Sequence, residues 1–206
     1  MKAFIKKYYE AIIYLLELPS NTKRLKNIRN QNTALRENKS SDIERWSVKK
    51  ELSIDWNERT AILGNFITPN AAIIEFGAGS MFLKDHLNNY KSYMPSDIIK
   101  RFPETLVCDL NEPLTLDLTA YDTAVFSGVL EYVYDIEALF QQINCINQVV
   151  LSYCCSDVMK VSREANGWLS DYTTSELEAM FGKNGYKIEH YQEWKKQSLY
   201  NLIKIK

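Results

Sequence analysis

Small and acidic residues recur at the ends of apolar runs along this chain. Glu75 stands two residues before Gly77-Ala78-Gly79-Ser80, and Asp97 follows Tyr93-Met94-Pro95-Ser96. Asp109 follows Thr105-Leu106-Val107-Cys108, and Ser127-Gly128 follows Thr123-Ala124-Val125-Phe126. Glycines at 77 and 79 let the backbone take positive φ and let a ligand approach where a Cβ would stand. A carboxylate twenty residues after the first glycine is placed to accept from both hydroxyls of a ribose. A dinucleotide fingerprint would need a third glycine at position 82, which is Phe82, so a nicotinamide-dependent oxidoreductase is disfavoured. Metal chemistry has little to work with. The only histidines are His86 and His190, and Cys108, Cys145, Cys154 and Cys155 contain no C-x-x-C pair. No metal site is expected, and the thiols read as reduced core residues of a cytoplasmic protein.

The elements that must position these residues follow from periodicity. The run AIIEF at 72–76 is short, apolar and β-branched, the pattern of a strand buried on both faces. Further strands are predicted at 93–98, 105–110, 121–128 and 148–154, with helical spacing over 54–67, 81–87 and near 135–146. Ser41-Asp42-Ile43-Glu44 has the composition of a helix cap. Strands alternating with helices predict an α/β fold, a mostly parallel sheet covered on both faces. Ligands of such sheets bind at the carboxyl ends of the strands, where Glu75, Asp97, Asp109 and Ser127 all fall.

EFGAGS (75–80), SDI (96–98), CDL (108–110) and YDTAVFSGVLEYV (121–133), in this order and spacing, resemble the class I S-adenosylmethionine-dependent methyltransferases. GWLSDYTTSELEAMFGKNGYKI (167–188) resembles a segment of their small-molecule members, and the match runs from about residue 56 to 206. The resemblance implies a Rossmann-like seven-stranded sheet whose antiparallel final strand is Tyr200–Ile205, after Tyr186–Trp194. It implies S-adenosylmethionine as cofactor. Gly77, Ala78 and Gly79 would lie under the methionine part, with Glu75 fixing the turn and the ammonium. Asp97 would take the ribose hydroxyls. Asp109 would accept from the adenine amino group, with Leu110 packed on the ring. Ser127 and Gly128 would border the methyl group. Many members carry Glu-His after the fourth strand. Here the pair is Glu131-Tyr132, so no histidine base is expected there.

Methyl transfer from a sulfonium is an in-line displacement that depends on alignment and exclusion of water. A sugar or alcohol oxygen also needs a general base, whereas a carboxylate, phosphate or amine does not always require one. Glu131, Tyr132, Asp171 and Tyr172 are the candidate catalytic residues, with Glu131 equally able to serve as a cap or a pairing partner. Trp168 and Trp194 read as packing residues, His190 as structural and His86 as solvated. YMPSDI followed by VCDLNEPL resembles, more loosely, methyltransferases of bacterial surface-polysaccharide pathways. The implied reaction is O-methylation of a small molecule or glycan precursor. The alternative is a non-catalytic accessory protein that binds the cofactor and acts through partners.

The 206 residues, 46% hydrophobic and 25% charged with net charge −1, suit one soluble domain with an appendage. Charge is uneven: residues 1–40 hold nine Lys or Arg and three Glu, a net +6, which leaves −7 for the rest. We divide the chain into a basic amphipathic helical extension, 1–41, and a methyltransferase domain, 42–206. A helix over 3–18 would end at Pro19. Glu10 and Glu17 interrupt its apolar face and no small-residue cleavage site follows, so a signal peptide is disfavoured. The basic extension suits a peripheral contact with a membrane or another anionic partner, or simply a solvated covering helix. Nucleic acid is disfavoured, since the domain has no basic stripe with interleaved aromatics. No run reaches the roughly 18 apolar residues of a membrane span.

Overall fold

The computed structural model describes residues 23, 26–27, 30–48 and 52–205. The helix expected over 3–18 lies outside them. After a helical stretch at 30–37 come α1 (Ile43–Ser47), a 3-10 turn (Ile54–Trp56) and α2 (Asn57–Gly64). Then follow β1 (Ala72–Phe76), α3 (Phe82–His86), β2 (Ser92–Asp97), β3 (Leu106–Val107), β4 (Thr123–Phe126), α4 (Ile136–Gln142) and β5 (Gln148–Tyr153). The chain closes with α5 (Arg163–Asn166), α6 (Thr174–Lys183), β6 (Tyr186–Trp194) and β7 (Gln197–Lys204). No helix among the described residues is long and apolar enough to cross a membrane.

The sheet has seven strands in the order β3-β2-β1-β4-β5-β7-β6. The first five run parallel, and β7 pairs antiparallel with both β5 and β6. This is the Rossmann-like architecture expected from the sequence. Alternation sorts the central strands between two cores. Ile74, Phe76, Ala124, Phe126, Val149 and Leu151 face one side, where α4 and α6 pack, and Phe76 stacks on Phe126 at 4.9 Å between centroids. Ile73, Val125 and Val150 face the other, against Leu63 of α2 and Leu83 of α3. Both faces being covered explains why β1, β4 and β5 are buried at every residue.

Several boundaries differ from the sequence-based expectation, each for a local reason. β3 is two residues long, not six. After Val107 the chain turns: Asn111 N–H donates to the Asp109 carboxylate at 3.0 Å, a side-chain turn that competes with strand pairing. α3 begins only at Phe82, because Met81 takes a left-handed conformation, φ 61°. α4 stops at Gln142, and Ile143 leaves helical geometry. The last strand starts at Gln197, earlier than expected. A two-residue turn, Lys195-Lys196 with φ 45° and 64°, closes the β6–β7 hairpin at the pair Trp194–Gln197.

Candidate functional site

One cavity opens at the carboxyl ends of β1, β2, β3 and β4, where the chain crosses from sheet to loop four times. Gly77 (φ 71°) and Gly79 (φ 52°) make the turn after β1. A Cβ on Gly77 would stand 2.3 Å from Val129 Cγ2, so the close approach of the β1 and β4 exits requires glycine there. Asp97 ends β2 and is 7% exposed. Its carboxylate accepts from Gly79 N–H at 2.8 Å and from Ile99 N–H at 2.9 Å. A carboxylate offers about four acceptor positions, so two remain for a ligand. The same hydrogen bond ties the glycine turn to the end of β2. Asp109, beyond β3, accepts from Ser41 Oγ at 2.7 Å as well as from Asn111 N–H.

The wall after β4 is more heavily built. Ser127-Gly128 turns with Gly128 at φ 69°, and Gly128 N–H donates to Ser152 Oγ at 2.8 Å. Behind it lies Arg59 of α2, a buried guanidinium that donates to Ser127 Oγ at 3.3 Å, Ser127 O at 3.2 Å and Gln197 Oε1 at 2.9 Å. Desolvation lowers its pKa, and the charge of nearby Glu131 works against that shift. Arg59 was not among the candidates. Its signal was a cation four residues before Leu63 on the face of α2 that packs inward, a place where burial of a charge calls for a reason.

Residues 30–48 cross the mouth. Leu35, Ser41, Asp42 and Trp46 line the cavity from this side, with Leu52 and Trp56 beyond. The crossing segment is tied down by several backbone acceptors. Asn32 donates to Glu164 O, Arg36 to Trp168 O, and Arg45 to Asn166 O at 2.8 Å. Arg101 donates to Trp46 O, and Tyr134 Oη to Leu35 O at 2.6 Å. Asn111 Nδ2 joins Ser41 Oγ (2.7 Å) to Tyr132 O (2.9 Å). The space at this end of the sheet, open mouth included, is about 930 Å³. Among the described residues lining it, three are acids (Asp42, Asp97, Asp109) and one is a base, Arg101.

The sequence candidates divide. Gly77, Asp97, Asp109, Leu110, Ser127, Gly128 and Tyr132 all line the cavity. Ala78 lies in the turn, its N–H donating to Ser96 O at 2.9 Å. Glu75 is buried inside the sheet, its carboxylate accepting from the Tyr93 hydroxyl, and burial pushes its pKa up to about 8. Glu131 is buried too. One oxygen accepts from Cys154 N–H at 2.8 Å and the other has no hydrogen-bond partner. Asp171 is exposed, 3.6 Å from Arg163 Nε, and Tyr172 packs edge-on to Tyr153. These last three side chains do not line the cavity. Burial pushes the Tyr132 hydroxyl up to about 12, which suits a hydrogen-bond donor and not a base at neutral pH. Trp168 is buried beneath Arg163, Trp194 packs on the smaller core, His190 meets Phe66 edge-on and His86 stacks on Phe82 at the surface.

No family model and no curated protein matches the sequence. Solved structures do match the fold. The chain is similar to Burkholderia thailandensis 1,6-didemethyltoxoflavin-N1-methyltransferase, solved with its substrate and S-adenosylhomocysteine: TM-score 0.57, 14% identity, 91% of each chain covered. It is also similar to a structure from Haloferax volcanii, the complex of the Trm112 methyltransferase activator and a methyltransferase: TM-score 0.59, 10% identity, 73% of this chain and 90% of that one. A third is an O-methyltransferase of neocarzinostatin biosynthesis with S-adenosylmethionine and 2-hydroxy-5-methyl naphthoic acid: TM-score 0.52, 12% identity, 77% of this chain and 59% of that one. At such identities the likeness establishes the class I methyltransferase fold.

Proposed function

We propose that this chain binds S-adenosylmethionine in the cleft and transfers a methyl group to an oxygen of a small molecule. The observation that carries the reading is convergence. Gly77, Asp97, Asp109 and Ser127-Gly128 come from four separate strand ends and meet around one cavity. The donor set suits the cofactor: Asp97 keeps lone pairs for two ribose hydroxyls, Asp109 can accept from an adenine amino group, and Leu110 lies beside it. A surplus of acids suits a ligand bearing a sulfonium and an ammonium. When bound, the cofactor supplies a methyl group already activated by the sulfonium charge. The protein's own part is positioning. Asp97 orients through Gly79, the Ser127-Gly128 turn leaves room where a side chain would block the methyl, and residues 30–48 exclude water from above. Tyr132 is the candidate side chain that touches the acceptor, as a hydrogen-bond donor. Glu131 holds the β5 exit through Cys154. A glycan precursor is one acceptor class, on the strength of the YMPSDI and VCDLNEPL phrases, and the basic residues 1–40 would favour delivery at an anionic surface.

The second reading is a cofactor-binding accessory protein. It is favoured by one observation: of Glu131, Tyr132, Asp171 and Tyr172, only Tyr132 reaches the cleft. Calorimetric titration with S-adenosylhomocysteine tests both, with NADH as control and Asp97→Asn alongside. Asparagine keeps one acceptor oxygen and loses the charge, so affinity should fall at least about tenfold, about 1.4 kcal/mol. Binding without methyl transfer to any acceptor would favour the accessory reading. Absence of binding would remove both.

A further inference from the structure

We infer that the acceptor is a flat aromatic compound whose methylated oxygen is itself acidic, a carboxylate or a phenolate. The inference rests on the methyltransferase reading above and adds the chemistry of its second substrate.

Shape comes first. Beyond the strand-end residues, the cavity wall includes three aromatic rings, Trp46, Trp56 and Tyr132. Trp46 and Tyr132 meet edge to face at 4.9 Å between centroids, which holds both rings in place. Three rings on one wall favour a flat π-system, which can stack on them, over a puckered ring, which cannot.

Charge comes second. Each tryptophan has a guanidinium over its ring: Arg45 lies 4.9 Å from the Trp46 centroid and Arg59 lies 5.8 Å from that of Trp56. Each indole thus has a cation against its π-system, which favours an anionic or electron-rich partner nearby. Arg101, the one cation among the described lining residues, donates to the Trp46 carbonyl, and its buried Nε has no hydrogen-bond partner. No carboxylate lies within ion-pair range of it among the described residues.

The third argument is the state of the lining groups. No histidine lines the cavity. Cys108 is pushed up to about 11 and Tyr132 to about 12. Asp97 and Asp109 belong to the cofactor, and Asp42 caps α1 by accepting from Arg45 N–H at 3.0 Å. An aliphatic hydroxyl, with a pKa near that of water at about 16, presents about one ionised molecule in 10⁹ at pH 7 and depends on a base. A phenol near 10 presents about one in 10³, and a carboxylic acid is ionised outright. With an acidic oxygen the step balances without a base. The oxyanion lone pair forms the O–CH₃ bond, the C–S bond breaks with its pair left on sulfur, and the negative and positive charges cancel.

The test uses the full chain with labelled S-adenosylmethionine and a panel of one- to three-ring aromatic carboxylic acids and phenols. Each is paired with its ring-saturated acid and with its benzylic or cinnamyl alcohol, and methyl glucoside is added. S-Adenosylhomocysteine binding is measured in parallel. The expected result is transfer to an aromatic acid or phenol with kcat/KM at least about tenfold above both partners. Trp46→Leu should raise the acceptor KM about tenfold while S-adenosylhomocysteine affinity holds within about twofold. Arg101→Met should raise KM more for acids than for phenols. Preference for the alcohols, the saturated acids or the glucoside, or transfer to none of the aromatic panel while S-adenosylhomocysteine still binds, would overturn the inference and leave the cofactor reading standing. Loss of S-adenosylhomocysteine binding would overturn both.

Discussion

Glu75 is a carboxyl group placed where a charge is expensive. It sits in β1, between β2 and β4 inside the sheet, 2% exposed, with the Tyr93 hydroxyl as its partner and Asp97 nearby. Burial, the largest cause, pushes its pKa up to about 8, and the hydrogen bond from Tyr93 offsets part of that shift. In the unfolded chain it ionises near the ordinary glutamate value of 4.5. Between about pH 4.5 and 8 the folded state therefore holds a proton that the unfolded state has released. Stability from this group falls as pH rises through that window, by at most about 1.4 kcal/mol per pH unit, and is level above it. Urea unfolding at pH 5.5, 6.5 and 7.5 should show this slope in the wild type. Glu75→Gln, neutral throughout, should flatten it. An equal slope in both proteins would place the titration elsewhere. At the same scale, Asp97 joins the glycine turn to the end of β2 through one oxygen, so its replacement disturbs both the ligand contact and the turn.

The turn after β4 shows what an element boundary demands. Gly128 has φ 69°, and a Cβ there would lie 2.3 Å from Arg59 Nη2. That guanidinium is itself buried and fixed by Ser127 and Gln197, so it cannot swing aside. Gly128→Ala should therefore destabilise by about 2–4 kcal/mol, the sum of backbone strain and overpacking. Gly182 in α6 is the contrast. A Cβ there meets nothing within 4 Å, and Gly182→Ala should be neutral or stabilising by up to about 1 kcal/mol. Denaturant midpoints for the two variants check both signs, and equal losses would show that Arg59 is not a fixed obstacle. The β6–β7 hairpin makes a related point. Its turn needs positive φ at both central residues, a geometry that Asn-Gly supplies readily, yet Lys195-Lys196 fill it. The closing pair Trp194–Gln197 and the long β7 ladder onto β5 hold those lysines there.

For the molecule as a whole, residues 30–48 close one end of the sheet and couple to the cleft through Ser41. The Ser41 hydroxyl donates to Asp109 and accepts from Asn111, so the crossing segment shares a carboxylate with the proposed adenine contact. Saturating S-adenosylhomocysteine should slow tryptic cleavage at Arg36, Lys39 and Arg45. At one hundred times its Kd it should raise global stability by about 2.7 kcal/mol. Ser41→Ala should weaken the protection of those three sites more than it lowers thermal stability. Limited proteolysis read by mass spectrometry checks this, and equal cleavage with and without the ligand would uncouple the segment from the cleft. The parallel strands at the centre of the sheet were readable in the sequence, because they rest on local rules, whereas the seven-stranded order followed from the family resemblance. AIIEF reads as a doubly buried strand, β5 was met to within one residue, and two glycines after an apolar run mark a turn that side chains resist; the bounds of β6 came from the family resemblance. So too were Asp97 and Ser127-Gly128 as strand-end residues. The cleft's other half was not readable. Trp46 and Trp56 lie far along the chain from the motifs, Arg59 looks like any cation on a short helix, and Glu131 and Asp171 share the polarity of catalytic acids. Sequence spacing fixes which residues stand at the end of a strand. Which side chains a crossing segment lays over that end, and which carboxylates turn inward to brace the backbone instead, depends on long-range packing, and only the tertiary structure decided it.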